Sequence, residues 1–311
     1  MKQKILITPR SFPRFKHKAY PLLEAAGYEI VENTTGRTLT EEELLGYTQE
    51  NVVGIIVGVD PLPGHVLRQF KQLKAISKYG VGLDNIDLDT VEELGIKVTR
   101  AVGTNNVSVA ELTIALMFAL ARHIPHAVAG VKAGGWTRVA GMELTGKTLG
   151  VVGFGQIGQE VAKRAKGLLM DVIAYSRSGD DQWFAERGAK RCDSLEELLS
   201  TADVVSLHVP ATPQTKHMIN AESLKLMKPS ALLLNTSRGE LIDEEALYEA
   251  LVSKTIAGAA SDVFSSEPPQ PGEKLLTLDN FLLTAHIGAL TDEAGERMVM
   301  VSTNNLLESL S

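Results

Sequence analysis

The sequence Lys147-Thr-Leu-Gly-Val-Val-Gly-Phe-Gly-Gln-Ile-Gly158 decides the fold of this chain. Residues 148–152 are apolar and partly β-branched, which predicts a buried parallel strand. Residues 159–168 carry apolar side chains at helical spacing, and residues 171–175 predict a second strand. The glycines between them therefore lie at a strand-to-helix turn inside one βαβ unit.

Three glycines in this turn form the pattern Gly153-x-Gly155-x-x-Gly158. Gly153 permits the tight turn, Gly155 lets the backbone approach a pyrophosphate, and Gly158 allows the helix to pack closely on the strand. The pattern alone is weak, because glycine-rich turns also form for packing reasons. Its position between a strand and a helix nevertheless indicates dinucleotide binding, and we expect Gln156 and Ile157 to contact the same cofactor.

The end of the second strand bears on the choice of cofactor. NAD-binding units usually place an acidic residue about 20 positions beyond the glycines, where it binds the ribose hydroxyls. This chain has Ser176-Arg177-Ser178 there instead. A guanidinium and hydroxyls can bind the 2′-phosphate of NADP, so we expect NADP to be preferred over NAD. Arg177 could also be a solvated loop residue, and the nearby Asp180 and Asp181 weaken the argument.

Length and composition place limits on the function. At 311 residues the chain exceeds most single hydrophobic cores and suits two domains. Its net charge of −7 argues against an extended surface for nucleic acid or anionic membranes. The single cysteine, Cys192, excludes an intrachain disulfide, and no motif indicates a metal site. A secretory signal and an apolar run of about 18 residues are both absent, so we expect a cytoplasmic protein without a membrane partner.

Before the glycine turn, short apolar strands alternate with helical patterns, which predicts a parallel sheet covered on both faces. The predicted strands are residues 5–8, 28–32, 52–57, 73–78 and 96–99. Because a dinucleotide turn normally follows the first strand of its domain, an independent α/β unit precedes it. In that unit, Lys78 and the turn Gly80-Val81-Gly82 follow a strand, where backbone N–H groups can bind a small anion. A plain tight turn explains these glycines equally well.

Two helix starts are predicted from capping boxes, in which Ser or Thr is followed three residues later by Glu. The patterns are Thr40-Glu-Glu-Glu43 and Ser108-Val-Ala-Glu111. The second precedes the almost entirely apolar residues 112–121, and a helix that is apolar on every face is expected to be buried on every face. That predicts a central helix or a helix at a subunit interface, so we expect a homodimer.

Four further strands are predicted at residues 202–210, 231–236, 255–263 and 280–284. Polar side chains fall at or just beyond the carboxyl ends of these strands: Arg238, Asp262, Glu267 and His286. An open parallel sheet binds its ligands at that rim. Asp262 could bind the carboxamide of a nicotinamide or could simply end a strand.

Three of these residues have the chemistry that hydride transfer to a 2-oxo acid requires. His286 can donate the proton that neutralises the developing alkoxide, and Glu267 can keep the histidine charged and oriented. Arg238 can bind the substrate carboxylate through two parallel hydrogen bonds. Each also has a structural explanation, as a strand-end histidine, a solvated loop acid and a surface charge.

A series of motifs resembles the D-isomer-specific 2-hydroxyacid dehydrogenases along nearly the whole chain. The motifs are Gly80-Val-Gly-Leu-Asp-Asn-Ile-Asp87, Ser108-Val-Ala-Glu-Leu112, Gly153-Phe-Gly-Gln-Ile-Gly158, Met227-Lys-Pro-Ser-Ala231, Asn235-Thr-Ser-Arg-Gly239, Asp262-Val-Phe264 and Ala285-His-Ile-Gly288. The resemblance implies that Arg238, Glu267 and His286 are catalytic. It also implies that backbone amides near Val81 and Gly82 hold the substrate carboxylate.

The resemblance further implies two doubly wound parallel-sheet domains of the α/β class. Residues 1–100 with 287–311 would form a flavodoxin-like substrate-binding domain, and residues 101–286 a Rossmann NAD(P)-binding domain through which the chain dimerises. Besides the glycine turn, the expected cofactor contacts are Ser176, Arg177, Val209, Pro210, Thr236, Ser237, Arg238, Asp262, His286 and Gly288. The expected substrate contacts are Lys78, Val81, Gly82, Arg238 and His286.

Within the family, the features favour a reductase of glyoxylate or hydroxypyruvate. Ser176-Arg-Ser178 resembles members that use NADPH, and Trp136 resembles an aromatic residue that reaches the partner's active site in some of them. The alternative is a D-3-phosphoglycerate dehydrogenase without a regulatory domain. Lys78 keeps that alternative open, although Asp60 stands in a segment where those enzymes often supply charge for the substrate phosphate.

Two other classes of protein remain as alternatives. Corepressor-like regulators that sense NAD(H) share this fold and can keep the three catalytic residues, but they generally add interaction segments. A methyltransferase would use the glycine turn for S-adenosylmethionine, and would leave Arg238, Glu267 and His286 without a common explanation. The sequence therefore favours an enzyme of the oxidoreductase class.

Overall fold

The computed structural model describes residues 2–311, and the chain divides into two compact units. The first unit contains the chain up to Asn105 together with Leu290–Ser311, and the second unit contains Asn106–Ala289. The chain thus passes from one unit to the other after residues 105 and 289, whereas the sequence predicted borders after residues 100 and 286.

Strands and helices alternate along almost the whole chain. The strands are β1 (Lys4–Ile7), β2 (Glu29–Glu32), β3 (Val52–Val57), β4 (Ala75–Lys78), β5 (Lys97–Arg100), β6 (Thr148–Val152), β7 (Asp171–Tyr175), β8 (Lys190–Arg191), β9 (Val204–Leu207), β10 (Leu232–Asn235), β11 (Gly258–Ser261) and β12 (Phe281–Leu283). The helices are α1 (Lys16–Ala25), α2 (Glu41–Gly46), α3 (Gly64–Leu67), α4 (Leu88–Glu93), α5 (Asn106–Ala121), α6 (Ile124–Lys132), α7 (Gln156–Gly167), α8 (Asp181–Glu186), α9 (Leu195–Thr201), α10 (Ala221–Leu226), α11 (Glu244–Val252) and α12 (Asp292–Leu310).

The first unit is built on a five-stranded parallel sheet in the order β2-β1-β3-β4-β5. This is the doubly wound order 2-1-3-4-5 of flavodoxin-like folds. The central strand β3 is buried at all six positions, because a parallel sheet is covered on both faces. The C-terminal helix α12 packs against β3, β4 and β5, so the end of the chain completes this unit.

The second unit is built on a seven-stranded parallel sheet in the order β12-β11-β10-β9-β6-β7-β8. Counted from β6, this is the Rossmann order 3-2-1-4-5-6 with one additional edge strand. Alternate residues of the strands enter two hydrophobic clusters, Val152 and Leu207 in one, Val151 and Leu234 in the other. Helices thus cover both faces, and the predicted class of two doubly wound parallel-sheet α/β domains is confirmed.

The helix α5 corrects one predicted helix start. It begins at Asn106, so Ser108 lies within its first turn rather than at the N-cap position. Asn is favoured at helix starts as strongly as Ser, and this allows the earlier start. Within the single chain the helix is buried on most of its surface, but Val107, Glu111 and Ala115 are exposed at a spacing of four residues. One stripe of α5 therefore remains uncovered in the single chain.

The other predicted capping box, at the start of α2, is confirmed. The Thr40 hydroxyl accepts a hydrogen bond from the Glu43 N–H at 3.3 Å, and the Glu43 carboxylate accepts one from the Thr40 N–H at 2.9 Å. Two N–H groups that the helix itself cannot satisfy are thus bonded reciprocally.

No single helix in residues 2–311 has both the length and the apolar character needed to span a membrane. The 16-residue helix α5 and the nine-residue helix α6 meet both criteria only when they are taken together. The two are bent by 63° relative to each other.

Candidate active site

The glycine turn connects β6 to α7 at the carboxyl edge of the second unit's sheet. Gly153 has a φ of +93°, and a Cβ atom on it would lie 2.6 Å from the carbonyl oxygen of His208. A Cβ atom on Gly158 would collide with the carbonyl oxygen of Gly153. The start of α7 therefore lies directly against the end of the strand, which only glycine permits at these two positions.

Gly155 leaves open space in front of the first turn of α7. Apart from its chain neighbours, no heavy atom of residues 2–311 lies within 4 Å of the position that its Cβ atom would take. Gly155 is also the N-cap of this 12-residue helix, whose first N–H groups and positive dipole end favour a phosphate. Gln156 and Ile157 begin the helix and can contribute such N–H groups. The turn therefore fits the pyrophosphate of a dinucleotide.

The loops after β9 and β10 lie beside each other in the second unit. The Ser237 hydroxyl donates a hydrogen bond to the carbonyl oxygen of Val209 at 2.5 Å, and the Thr215 hydroxyl donates one to that of Pro210 at 2.7 Å. The hydroxyl of Thr236 lies 2.9 Å from that of Thr113 on α5. Hydrogen bonds thus hold the two loops in which we expect further cofactor contacts.

Ser176 and Arg177 directly follow β7, with Ser176 half-buried and Arg177 exposed. The two nearby carboxylates are bonded elsewhere. Asp180 accepts a hydrogen bond from the Trp183 N–H at 2.8 Å and thereby caps α8. Asp181 forms an ion pair with Arg191 at 3.5 Å. Neither carboxylate therefore forms its hydrogen bond or ion pair with the residues at the end of β7.

Asp262 is 2% exposed and holds the turn that carries His286. Its Oδ1 accepts hydrogen bonds from the Thr284 hydroxyl and from the Ile287 N–H, the latter at 2.9 Å. Its Oδ2 accepts one from the Gly288 N–H at 2.7 Å, and its backbone oxygen accepts one from the His286 N–H at 2.8 Å. A carboxylate oxygen can accept two hydrogen bonds, so Oδ2 retains capacity for the amide of a nicotinamide.

His286 and Glu267 form a direct pair in the second unit. Nδ1 of His286 lies 2.8 Å from Oε2 of Glu267, and both side chains remain about two-fifths exposed, at 42% and 40%. The other carboxylate oxygen, Oε1, accepts a hydrogen bond from the Phe264 N–H at 3.0 Å. A proton on Nδ1 would therefore be directed at Glu267, which leaves Nε2 of the ring for a substrate.

The pKa of the Glu267 carboxyl is lowered although the group is partly buried. Burial acts to raise this pKa, but the hydrogen bond from His286, the N–H of Phe264 and the charges of His286 and Arg238 together lower it by more. The carboxylate is therefore ionised at neutral pH and can orient a protonated imidazole.

Arg238 is positioned by a residue that the sequence did not single out. Asn235 ends β10 with 1% of its surface exposed. Its side-chain N–H donates to the carbonyl oxygen of Arg238 at 2.8 Å, and its side-chain oxygen accepts from the Ser237 N–H at 3.1 Å. The sequence pattern could have identified Asn235, because an Asn after an apolar strand often forms a hydrogen bond to the backbone two residues further on. The Arg238 guanidinium itself donates to the Ser237 carbonyl at 2.7 Å.

The expected substrate contacts Lys78, Val81 and Gly82 belong to the first unit. Lys78 is 6% exposed, and its ammonium donates hydrogen bonds to the carbonyl oxygen of Gly58 and to the side-chain oxygen of Asn85. Val81 and Gly82 are half-buried in the turn after β4. Lys78 thus ties the end of β3 to that turn.

Two other features of the second unit are a buried histidine and a pocket. Burial lowers the pKa of His208 to about 4, so its ring is neutral, and its Nε2 lies 2.8 Å from the Ser206 hydroxyl. A pocket of about 700 Å³ lies at the amino ends of the strands, beside Leu232 and Gly258, and contains none of the predicted site residues. In residues 2–311, no group of three or more His, Cys, Asp or Glu side chains could hold a metal ion.

Comparison with known proteins agrees with this arrangement. Residues 114–288 match the family of the D-isomer specific 2-hydroxyacid dehydrogenases, NAD binding domain. The chain is 42% identical over 280 residues to a hydroxypyruvate reductase of Thermotoga maritima. This match covers 89% of this chain and 90% of that protein. The crystal structure of a glyoxylate reductase from Paecilomyes thermophila matches with a TM-score of 0.87 and 30% identity, covering 98% of this chain and 94% of that one.

A third relative is considerably longer than this chain. The D-3-phosphoglycerate dehydrogenase of Methanocaldococcus jannaschii is 46% identical over 278 residues, covering 89% of this chain but 52% of that protein. The chain therefore spans about half the length of that relative. The glycine turn, the loops after β9 and β10, and the pair of His286 with Glu267 all fall within residues 114–288. On this evidence, the chain belongs to the D-isomer-specific 2-hydroxyacid dehydrogenases, a family of NAD(P)-dependent oxidoreductases.

Proposed function

We propose that the protein reduces a small 2-oxo acid of the glyoxylate or hydroxypyruvate type, and oxidises the matching D-2-hydroxy acid in reverse. The observation that carries this proposal is the hydrogen bond between His286 and Glu267, 2.8 Å long, at the edge of the sheet that bears the glycine turn. The names of two relatives, a hydroxypyruvate reductase and a glyoxylate reductase, support the choice of substrate.

Arg238, Glu267 and His286 each have one task in the proposed reaction. The reduced nicotinamide, when bound, supplies a hydride to the carbonyl carbon of the substrate. His286 donates its Nε2 proton to the carbonyl oxygen, so that the C=O group becomes a CH–OH group. Before this transfer, Glu267 stabilises the protonated imidazole of His286. Arg238 binds the substrate carboxylate or polarises the carbonyl. Lys78 and the amides near Val81 and Gly82 remain proposed substrate contacts.

A second candidate substrate is 3-phosphohydroxypyruvate, the oxo acid of a D-3-phosphoglycerate dehydrogenase. The 46% identity to a protein of that name favours it. The first unit offers a buried cation, Lys78, but also a buried carboxylate, Asp60. Asp60 accepts hydrogen bonds from the Thr8 hydroxyl and from the Leu39 N–H, the latter at 2.7 Å, and would oppose a phosphate placed near it. We therefore rank the unphosphorylated substrates first.

We further propose that NADP is preferred over NAD. Arg177 is exposed at the end of β7, and Ser176 precedes it. Neither nearby carboxylate pairs with Arg177, since Asp180 caps α8 and Asp181 pairs with Arg191, so the guanidinium is available to a phosphate. A guanidinium at this position can form charge-assisted hydrogen bonds to a phosphate.

We also propose that the protein is a homodimer. Besides the uncovered stripe of α5, exposed apolar side chains occur on α6 and in the segment beyond it, where Val128 is 48% exposed, Val131 52% and Trp136 82%. Several exposed apolar residues within one stretch of the sequence favour a protein interface there. A symmetric pair of subunits would cover the same region on both chains.

Turnover with a panel of 2-oxo acids tests the proposed reaction. We expect NADPH oxidation with glyoxylate and hydroxypyruvate, measured beside pyruvate and 3-phosphohydroxypyruvate. The variant His286→Ala should lower kcat by about 10²- to 10⁴-fold with little change in cofactor affinity, because the proton donor is lost. His65→Ala is the matched control, since His65 pairs with Glu41 at 3.0 Å on the surface of the first unit. No turnover with any of the four acids would favour an NAD(H)-sensing regulator.

The pH dependence of reduction tests the role of Glu267. Its pKa is lowered, so its negative charge is present across the neutral range and favours the protonated form of the pair. In Glu267→Gln that charge is absent, and the pH profile of kcat for reduction should shift to lower pH. Glu41→Gln, which alters the surface pair with His65, should leave the profile in place. An unshifted profile in Glu267→Gln would show that Glu267 does not assist the proton donor.

The ratio of kcat/KM for NADPH and NADH tests the cofactor preference. We expect the wild-type ratio to favour NADPH and the ratio in Arg177→Ala to fall by about 10- to 100-fold, the loss expected for a hydrogen bond to a charged group. Arg187→Ala serves as control, because the Arg187 guanidinium already lies over the Trp183 ring, 4.5 Å from its centroid. A wild-type preference for NADH would refute the proposal.

Sedimentation at micromolar concentration tests the dimer. We expect the wild-type chain to sediment as a dimer and the variant Val131→Glu to dissociate, because a charge would have to be buried at the interface. Val252→Glu is the matched control, since Val252 at the end of α11 is exposed to the same extent, 52%. A wild-type monomer would contradict the proposal.

A further inference from the structure

The carboxylate of Glu244, at the start of α11, reaches across to a loop 21 residues further along the chain. Its Oε1 accepts a hydrogen bond from the Ser265 N–H at 2.8 Å, and its Oε2 accepts one from the Ser265 hydroxyl at 2.6 Å. Asp243, the preceding residue, already caps α11 by accepting from the Ala246 N–H. Glu244 is therefore not needed as a cap, and both of its oxygens are directed to a single residue.

Ser265 begins the short segment that presents Glu267 to His286. Phe264, the residue before it, donates its N–H to Oε1 of Glu267, and Oε2 of Glu267 meets His286. The segment thus has a hydrogen bond to Glu244 at its start and one to His286 at its end. Glu244 and His286 contact it from two different parts of the sheet edge.

Packing alone cannot hold this segment, because residues 265–268 are all exposed. Its start lies close to Gly239, where an added Cβ atom would collide with the backbone of Phe264 and Ser265. Gly239 and Glu244 both lie in the stretch that follows Arg238, so the loop bearing the arginine touches the loop bearing the glutamate at two points. The two contacts differ in kind, since Gly239 permits the close approach of the two backbones and Glu244 supplies the hydrogen bonds.

We propose that Glu244 is a positioning residue for the dehydrogenase reaction. By fixing Ser265 it sets the distance and the angle at which Glu267 meets His286, and it couples that geometry to the loop of Arg238. The inference rests on the proposed roles of these three residues. It assigns no contact with substrate or cofactor to Glu244, whose effect is exerted entirely through Ser265.

The kinetic test compares two neighbouring glutamates on one helix turn. Glu244→Ala should lower kcat by about 10- to 100-fold, the cost of a displaced catalytic group, and shift the reductive pH profile in the same direction as Glu267→Gln, with the KM for the cofactor unchanged. Glu245→Ala is the matched control, because Glu245 forms an exposed ion pair with Lys274 at 2.9 Å on the same turn. Ser265→Ala, which removes one of the two hydrogen bonds, should have an intermediate effect and is a mild change at an exposed position.

A double variant separates positioning from a general effect on folding. In Glu267→Gln the carboxylate that Glu244 positions is already missing, so adding Glu244→Ala should leave the pH profile where Glu267→Gln puts it. If Glu244 only stabilised the fold, its effect on kcat would persist undiminished in the double variant and the single variant would have an unshifted profile. Either of these results would overturn the inference.

Nuclear magnetic resonance of the histidine ring nitrogens gives a readout that needs no turnover. With ¹⁵N-histidine labelling, the signals that disappear in His286→Ala identify the ring. Their chemical shifts should change in Glu244→Ala and Ser265→Ala, because the contact of the ring with Glu267 is altered, and should stay in place in Glu245→Ala. If the wild type turns over no 2-oxo acid, the proposed function fails while this measurement still decides the positioning. If turnover is present but Glu244→Ala behaves as Glu245→Ala in both measurements, only the positioning inference fails.

Discussion

The parallel pairing of all seven strands in the second unit is the constraint on which the candidate site depends. Because neighbouring strands run in the same direction from β12 to β8, every loop that follows a strand leaves the sheet at the same edge. Strand pairing therefore brings residues as far apart in sequence as Gly153 and His286 to one rim. Strand pairing creates the edge, and the side chains on its loops supply the chemistry of the site.

At that edge the hydrophobic core ends, and hydrogen bonds replace it. Asn235 closes β10 and Asp262 follows β11, and both are almost fully buried although their side chains are polar. A buried polar group without a partner is costly, and these two are bonded to N–H and carbonyl groups of the loops beyond them. The geometry of Arg238 and His286 is thereby coupled to the sheet, whereas apolar packing could not reach loops that stand in solvent.

Much of this arrangement could be predicted because its signals are local. Apolar runs identify the longer strands, and a turn needing glycine identifies the start of α7. The strand Lys190–Arg191 could not be found, since two polar residues at a sheet edge bury too little apolar surface to leave a pattern. The identities of Arg238, Glu267 and His286 could be named from their places after strands, and the pairing of Glu267 with His286 could be expected from their chemistry. The hydrogen bonds that hold these side chains in position, such as that of Glu244 to Ser265, could not be predicted. Hydrogen bonds spanning 19 and 21 residues, to Glu267 and to Ser265, depend on the folded sheet and leave no periodicity.

The backbone of His286 shows why these long-range bonds are needed. Its φ of +53° lies in the left-handed region, which costs an L-residue roughly 1–2 kcal/mol. The turn adopts it because Asp262 accepts hydrogen bonds from the N–H groups of His286, Ile287 and Gly288 in succession. Three consecutive N–H groups can converge on one residue only when the chain curls around it. The curled turn in turn fixes the direction in which the imidazole leaves the backbone, so the pair with Glu267 is prepared before any substrate binds.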